Sequence, residues 1–276
     1  MWVAESQYDV LGTRFGVRSD DASVAERVER LLDPFRAPAP KAVRAKNLFA
    51  LATQRPGDDR HHAYRDCQRI ARSESWTKVI DQLLGEVNRR AVEDMAYFGA
   101  HAGVVTSAVR TIAFPGVSGA GKTTLVGACL QAGFDYISDE ALCVDYSTRA
   151  VISYPKPLSL SEWSLDALAI DLPDLEPDSA ASKAPVPPSK VGGAIAFDPP
   201  DLSDLVMFQR RPGLAELREL PGSHVVTALL QHSFNHYKRP ADAFQLVTQL
   251  ARDCTAWALA YDDPLEAAQL MRSVFT

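Results

Sequence analysis

Cysteine is sparse and scattered: Cys67, Cys129, Cys143 and Cys254 lie far apart and form neither a C-x-x-C pair nor a Cys/His cluster at metal-ligand spacing. Cys129 falls in a helical apolar pattern and Cys143 in a strand pattern, so both read as small buried hydrophobes. Long hydrophobic runs are missing as well, and no uninterrupted apolar stretch approaches the roughly 20 residues of a membrane span. The opening MWVAESQYDV carries Glu5 and Asp9 without a basic segment ahead of an apolar run, so it does not read as a secretory signal. Clustered positive charge is also lacking. The formal charge is -6 and Lys and Arg are scattered, which leaves no electrostatic footprint for nucleic acid. The expectations are a cytoplasmic protein with neither nucleic acid nor membrane among its partners; assembly into a homo-oligomer stays open.

What is present is an ordinary globular composition, 46% apolar and 23% charged over 276 residues, enough for one large domain or two unequal ones. The first 95 residues read as a small α+β module. A strand-like YDVLGTRFGVRS precedes a helix over DDASVAERVERLLDPF, where Val24, Val28, Leu31 and Leu32 recur at helical spacing. The loop RAPAPKA, a strand NLFALAT and a polar turn QRPGDDRHH follow. A longer helix then places Trp76, Val79, Ile80, Leu83, Leu84, Val87 and Ala91 on one face.

From residue 101 the pattern becomes strand, turn, strand, loop, helix, strand, the order of an α/β core. VRTIAF is a buried-strand candidate, and the next helix runs from about Lys122 to Ala132, with Gly133 as a left-handed C′ residue. ALCVDY and AVISY read as a hairpin around STR. Residues 173–190 are rich in Pro, Ser and Ala and read as a mobile surface loop. Further expectations are strands at GAIAF, LVMFQ and AWALAY, helices around 223–236 and 240–253, and a closing helix PLEAAQLMRSVF.

One stretch carries chemistry: GVSGAGKTTL, residues 116–125, matches G-x-x-x-x-G-K-[ST] over 116–123. Gly116, Ser118, Gly119, Ala120 and Gly121 would turn backbone N–H groups around phosphate oxygens. Lys122 would reach the outer phosphates, Thr123 would ligate Mg²⁺, and Thr124 would continue the cradle into the helix N-terminus. A nucleoside triphosphate is the expected ligand. Seventeen residues after Lys122 stands Asp139, followed by Glu140, at the end of the strand after the loop helix. That position lies on the ligand side of an α/β sheet, where one carboxylate could hold Mg²⁺ and the other could take a proton from an attacking hydroxyl. His101, in HAGVV, opens the strand pair that leads into the loop.

This constellation, a histidine, the glycine-rich loop and GFDYISDE closing the next strand, resembles the bacterial HPr kinase/phosphorylase family and its HPr-kinase-like relatives. The likeness covers residues 98–160 well and YPKPLSL, FQRRPG and the closing helices more loosely. It implies an α/β fold with a P-loop kinase core of the HPr kinase type over 96–276, behind the N-terminal module of 1–95. It also implies ATP and Mg²⁺ as cofactors, and transfer of the γ-phosphoryl group to a hydroxyl of a peptide, protein or small polyol. Asp139 would be the general base, His101 the active-site histidine, Lys122 the phosphate clamp, and Thr123, Asp139 and Glu140 the metal ligands. Glu140 stands where those kinases carry a second aspartate, and their later glutamate-containing signature has no counterpart here, which favours an acceptor other than the phosphocarrier protein.

Arg211, just past an apolar strand, is a candidate for stabilising charge on the transferring group, and Asp145 and Lys156 for contacts around it. His232 and His236 have i, i+4 spacing, but SFN between them lacks the glutamate of H-E-x-x-H, so they read as ordinary histidines. The competing functional class is a nucleotide-binding regulatory protein that transfers nothing.

Overall fold

The computed structural model describes residues 2–37, 47–53, 58–172 and 183–276 and is a mixed α/β structure. The chain divides into two compact units, one of residues 1–95, 159–163 and 171–187, the other of 96–158, 164–170 and 188–276. The loop expected at RAPAPKA lies largely outside the described residues, as does most of the stretch 173–190.

The first unit is built on a five-stranded sheet of β1 (Ala4–Val10), β2 (Thr13–Ser19), β3 (Leu48–Ala52), β4 (His61–Arg65) and β5 (Gln68–Ser73), in that spatial order. What reads as one strand-like stretch is a hairpin, because Leu11 and Gly12 both take positive φ, 51° and 85°, and turn the chain in two residues. The expected polar turn at QRPGDDRHH ends earlier than its composition suggests: His61 and His62 already pair with Ser73 and Arg72 as β4 meets β5. Helix α1 (Ala22–Leu32) is capped by Asp21, whose carboxylate accepts from the N–H groups of Ser23 and Val24, and it buries Val24, Val28, Leu31 and Leu32. Helix α2 (Trp76–Asp94), capped by Ser75, buries Val79, Ile80, Leu83, Val87 and Ala91. Each large apolar side chain so buried contributes about 1.5–3 kcal/mol.

The second unit holds β6 (Phe98–Thr106), β7 (Thr111–Pro115), α3 (Lys122–Gln131), β8 (Asp135–Ser138), β9 (Ala141–Val144) and β10 (Val151–Ile152). The chain goes on through β11 (Leu158–Leu160), α4 (Glu162–Ala167), β12 (Ala184–Val186) and α5 (Pro188–Val191). It ends with β13 (Leu202–Arg210), β14 (Glu216–Leu220), α6 (Ser223–Gln231), α7 (Pro240–Asp253), β15 (Thr255–Tyr261) and α8 (Pro264–Phe275). The main sheet runs β10-β9-β6-β7-β13-β15-β14, with β8 also on β6; β7, β13 and β15 are parallel. Gly133, with φ of 93°, ends α3 as expected.

Three further expectations differ from the structure. Residues 184–190 of the Pro-rich stretch are not a loop: Ala184 and Val186 are buried in β12, which pairs with β11, and a proline between them is tolerated because β12 is an edge strand. GAIAF forms a single bridge, Ile195 beside Tyr136, and not a strand. The helix expected to run to 236 ends at Gln231, because the His232 carbonyl accepts from the His101 N–H. His232 and His236 therefore do not share a helix face. Among the described residues no helix is long and apolar enough to cross a membrane. Cys129, Cys143 and Cys254 are buried and Cys67 is exposed.

Helix α3 lies close over β6. A Cβ on Gly103 would meet the Val126 Cγ2 at 2.5 Å, so only glycine permits that approach. Gly103→Val is expected to destabilise the protein by about 1–3 kcal/mol, through forced displacement of α3, seen as a lower urea midpoint at unchanged slope.

Candidate functional site

The glycine-rich loop leaves the C-terminal end of β7 and enters α3. Gly119 and Gly121 adopt φ of 81° and 101°, left-handed values that side chains with a Cβ rarely take, and Gly121 precedes the helix with no side-chain cap. The first-turn N–H groups of α3 thus face the loop's concavity, carrying the partial positive charge of a helix N-terminus. Val117, Ser118, Gly119 and Ala120 are exposed, whereas Gly116 is buried against the Phe208 ring of β13.

Lys122 is 4% exposed, and its Nζ donates to the carbonyls of Gly116 at 2.9 Å and Val117 at 2.8 Å. The ammonium therefore lies inside the loop, held by acceptors that a stronger anion would replace. Thr123 is half-buried at the start of α3. Thr124 turns its hydroxyl to Ser164 Oγ at 2.9 Å, so what it offers the loop is its backbone N–H.

The acidic pair occupies a break in the sheet. β8 pairs with β6 along Val104–Thr106 and β9 pairs with the same strand along Phe98–His101, and Asp139 and Glu140 bridge the two. Ser138 shapes this kink: its hydroxyl accepts from the N–H groups of Glu140 at 3.2 Å and Ala141 at 3.1 Å. The Glu140 carbonyl accepts from the Ala102 N–H at 3.2 Å and from His101 Nδ1 at 3.0 Å. A carbonyl can only accept, so Nδ1 carries the proton and Nε2 of the neutral ring holds the lone pair. The His101 carbonyl in turn accepts from the Gly116 N–H at 3.1 Å. His101, the start of the loop and the acidic pair are thereby tied to one strand.

Asp139 is 2% exposed. Its Oδ1 accepts from the Tyr136 hydroxyl at 3.0 Å and pairs with Lys156 Nζ at 2.9 Å. Burial, and next the Asp139 charge, push the Tyr136 phenol well above its ordinary value, so it remains a donor. Its hydroxyl also reaches the Lys156 carbonyl at 2.8 Å.

No protein-family model matches the chain, and no curated protein matches it.

Other sequence candidates lie elsewhere or play other parts. Arg211 follows β13, on the edge where β7 enters the loop, with its Nε donating to Gln209 Oε1 at 2.9 Å. Asp145 is a turn residue: its Oδ1 accepts from the Ser147 and Thr148 N–H groups at 2.8 Å each, which with the Ser147 hydroxyl holds its carboxyl well below the usual range. The i, i+4 spacing to His236 draws attention to His232, which reads as an ordinary histidine; its actual place comes from strand pairing. Where β7 departs into the loop, residues 232–235 take over the vacated edge of β6: the His232 carbonyl accepts from His101 N–H, and Phe234 N–H donates to the Gly99 carbonyl. Only that register brings a second histidine to the loop, and no spacing rule encodes it.

Burial first, then the Lys122 charge, holds His101 below its ordinary value, with Glu140 pulling the other way; burial and Lys122 lower His232 likewise. A folded value below the unfolded value of about 6.5 means that the unfolded chain binds more protons in that interval, so the stabilisation is complete above 6.5 and is lost as pH falls toward the folded value. The melting temperature should fall on acidification from neutrality through that window. A His101→Gln, His232→Gln double variant should show a flatter profile, measured by thermal melts in a pH series.

Chemically, the loop offers a helix N-terminus with a lysine for anions, and Asp139 and Glu140 offer carboxylate oxygens that a hard cation could use. Among the described residues no group of three or more His, Cys, Asp or Glu is placed to hold a metal. The oxygen donors present suit Mg²⁺, which binds through one or two carboxylates and completes its shell with phosphate and water.

Proposed function

We propose that the chain is an ATP- and Mg²⁺-dependent phosphotransferase with an HPr-kinase-like P-loop core, passing the γ-phosphoryl group to a hydroxyl of a peptide, protein or small polyol. The observation that carries this reading is the hydrogen-bonded run along β6, from the Gly116 N–H to the His101 carbonyl and from His101 and Ala102 to the Glu140 carbonyl. It supports the reading because a phosphate cradle and an acidic pair held on one strand are the two halves of a phosphoryl-transfer site. In this reading residues 116–124 bind the phosphates through backbone N–H groups, and Lys122 exchanges its two carbonyls for phosphate oxygens. Asp139 takes the proton of the acceptor hydroxyl, and His101 presents Nε2 to the reacting groups. Arg211 lies on the same edge as the charge that would meet the transferring group. Mg²⁺, held by Thr123, Glu140 and Asp139, would neutralise the phosphates.

Incubation with ATP and Mg²⁺ and a panel of hydroxyl-bearing peptides, proteins and polyols, read by mass spectrometry, tests the proposal. Phosphorylated product that depends on Asp139 is the expected result. Nucleotide binding without any turnover would favour the second reading, a nucleotide-binding regulatory protein. That reading draws on one observation: the Asp139 side chain is 1% exposed and held by Lys156.

A further inference from the structure

Lys156 stands between Pro155 and Pro157, two rings that fix their own φ and hold the intervening residue extended. Its backbone is tied down as well: its N–H donates to the Tyr154 carbonyl at 2.9 Å, and its carbonyl lies 2.8 Å from the buried Tyr136 hydroxyl, whose one proton it shares with Asp139 Oδ1. From this rigid mount the side chain, 14% exposed, reaches Asp139 Oδ1 at 2.9 Å, Glu140 Oε2 at 3.8 Å and the Pro157 carbonyl at 3.2 Å. An ammonium thus lies among the oxygens of the two carboxylates that the phosphotransferase reading assigns to the metal. Two cations cannot share those oxygens, because in a site this buried their repulsion is poorly screened.

We propose that Lys156 is a stand-in cation: in the nucleotide-free protein its ammonium fills the position between Asp139 and Glu140 that a divalent cation takes when nucleotide binds, and loading the metal requires it to leave. The proposal rests on the metal assignment made under the proposed function. Its logic is electrostatic. A buried carboxylate such as Asp139, with the half-buried Glu140 beside it, destabilises a fold when it lacks a counter-charge, and the lysine supplies that charge until the metal arrives. The backbone restraints leave only the four-carbon arm to move, so displacement needs no change in the sheet. Metal alone then competes with an attached ammonium and binds weakly. Metal arriving with a triphosphate brings its own oxygens and an acceptor for the displaced lysine, so the two ligands bind together.

The test uses Mn²⁺ as the probe, with the free ion measured by electron paramagnetic resonance, on the full-length wild type and on Lys156→Met, Lys156→Gln and Lys156→Arg. Without nucleotide, the Met and Gln variants should bind Mn²⁺ about tenfold or more tightly than the wild type, and their melting temperatures should rise on adding Mn²⁺. The Arg variant, which keeps the charge, should stay as weak as the wild type. If Lys156→Met fails to fold without metal, Lys156→Gln, which retains a donor toward Asp139, carries the measurement. Equal or weaker Mn²⁺ binding by both Met and Gln variants overturns the proposal. Should the wild type take up Mn²⁺ only with ATP and the variants gain nothing, the lysine assignment alone falls. Should no form bind Mn²⁺ with or without ATP, the metal assignment falls with it.

Discussion

Asp139→Asn is expected to cut phosphoryl transfer by about three orders of magnitude while leaving ATP affinity within about threefold. The substitution keeps the shape of the side chain, and an amide oxygen can still accept from Tyr136 and Lys156, so the kink between β8 and β9 has no steric reason to move. What is lost is the negative charge and the ability to take a proton. ATP affinity, measured without Mg²⁺, should persist because the phosphate cradle is made by the loop and by α3 and not by Asp139. Transfer rates by mass spectrometry and affinity by calorimetry separate the two quantities. A variant that transfers at the wild-type rate would remove Asp139 from the chemistry, and with it the reason for preferring a kinase to a regulatory nucleotide binder.

Lys122→Ala should lower both quantities: ATP affinity by roughly ten- to a hundredfold, and transfer to background. The estimate follows from a charge-assisted hydrogen bond, worth about 1.5–3 kcal/mol. In the structure this ammonium donates to the carbonyls of Gly116 and Val117. The alanine variant should therefore also hold its loop less firmly, seen as faster amide exchange at residues 116–121. The contrast between the variants is diagnostic: Asp139→Asn separates binding from transfer and Lys122→Ala does not. A Lys122→Ala protein that binds ATP as the wild type does would mean that the phosphates lie elsewhere.

Much of the backbone around the candidate site was legible because local rules write it into short stretches. The glycine-rich turn ahead of α3 is legible from its pattern, and Gly119 and Gly121 take the left-handed φ that such a turn needs. Asp139 reads as the end of a short apolar strand, and β8 does end at Ser138. The helical faces of α1 and α2 were equally plain, since Val24, Val28 and Leu31, or Val79, Leu83 and Val87, recur with the period of the helix. The errors have a common physical origin. The first two residues of β4, His61 and His62, and the β12 strand read as turn or loop because histidine, proline and alanine carry little strand propensity, whereas pairing of His61 and His62 with β5 and burial of Ala184 and Val186 decided the outcome. The end of α6 was set by a long-range hydrogen bond to His101, which no local signal anticipates.

By itself the sequence determined the parts that depend on backbone geometry and hydrophobic period: a glycine-rich strand-to-helix loop, the helix that follows it, and the place of the acidic pair at a strand end. Tertiary structure decided which groups share a charge environment. The register of β6 against β8, β9 and residues 232–235 brought His101, His232 and Glu140 together with the loop, and a proline-fixed turn set Lys156 on Asp139. Such partnerships arise from strand pairing between segments distant in the chain, and spacing along a sequence carries no record of which strands will meet.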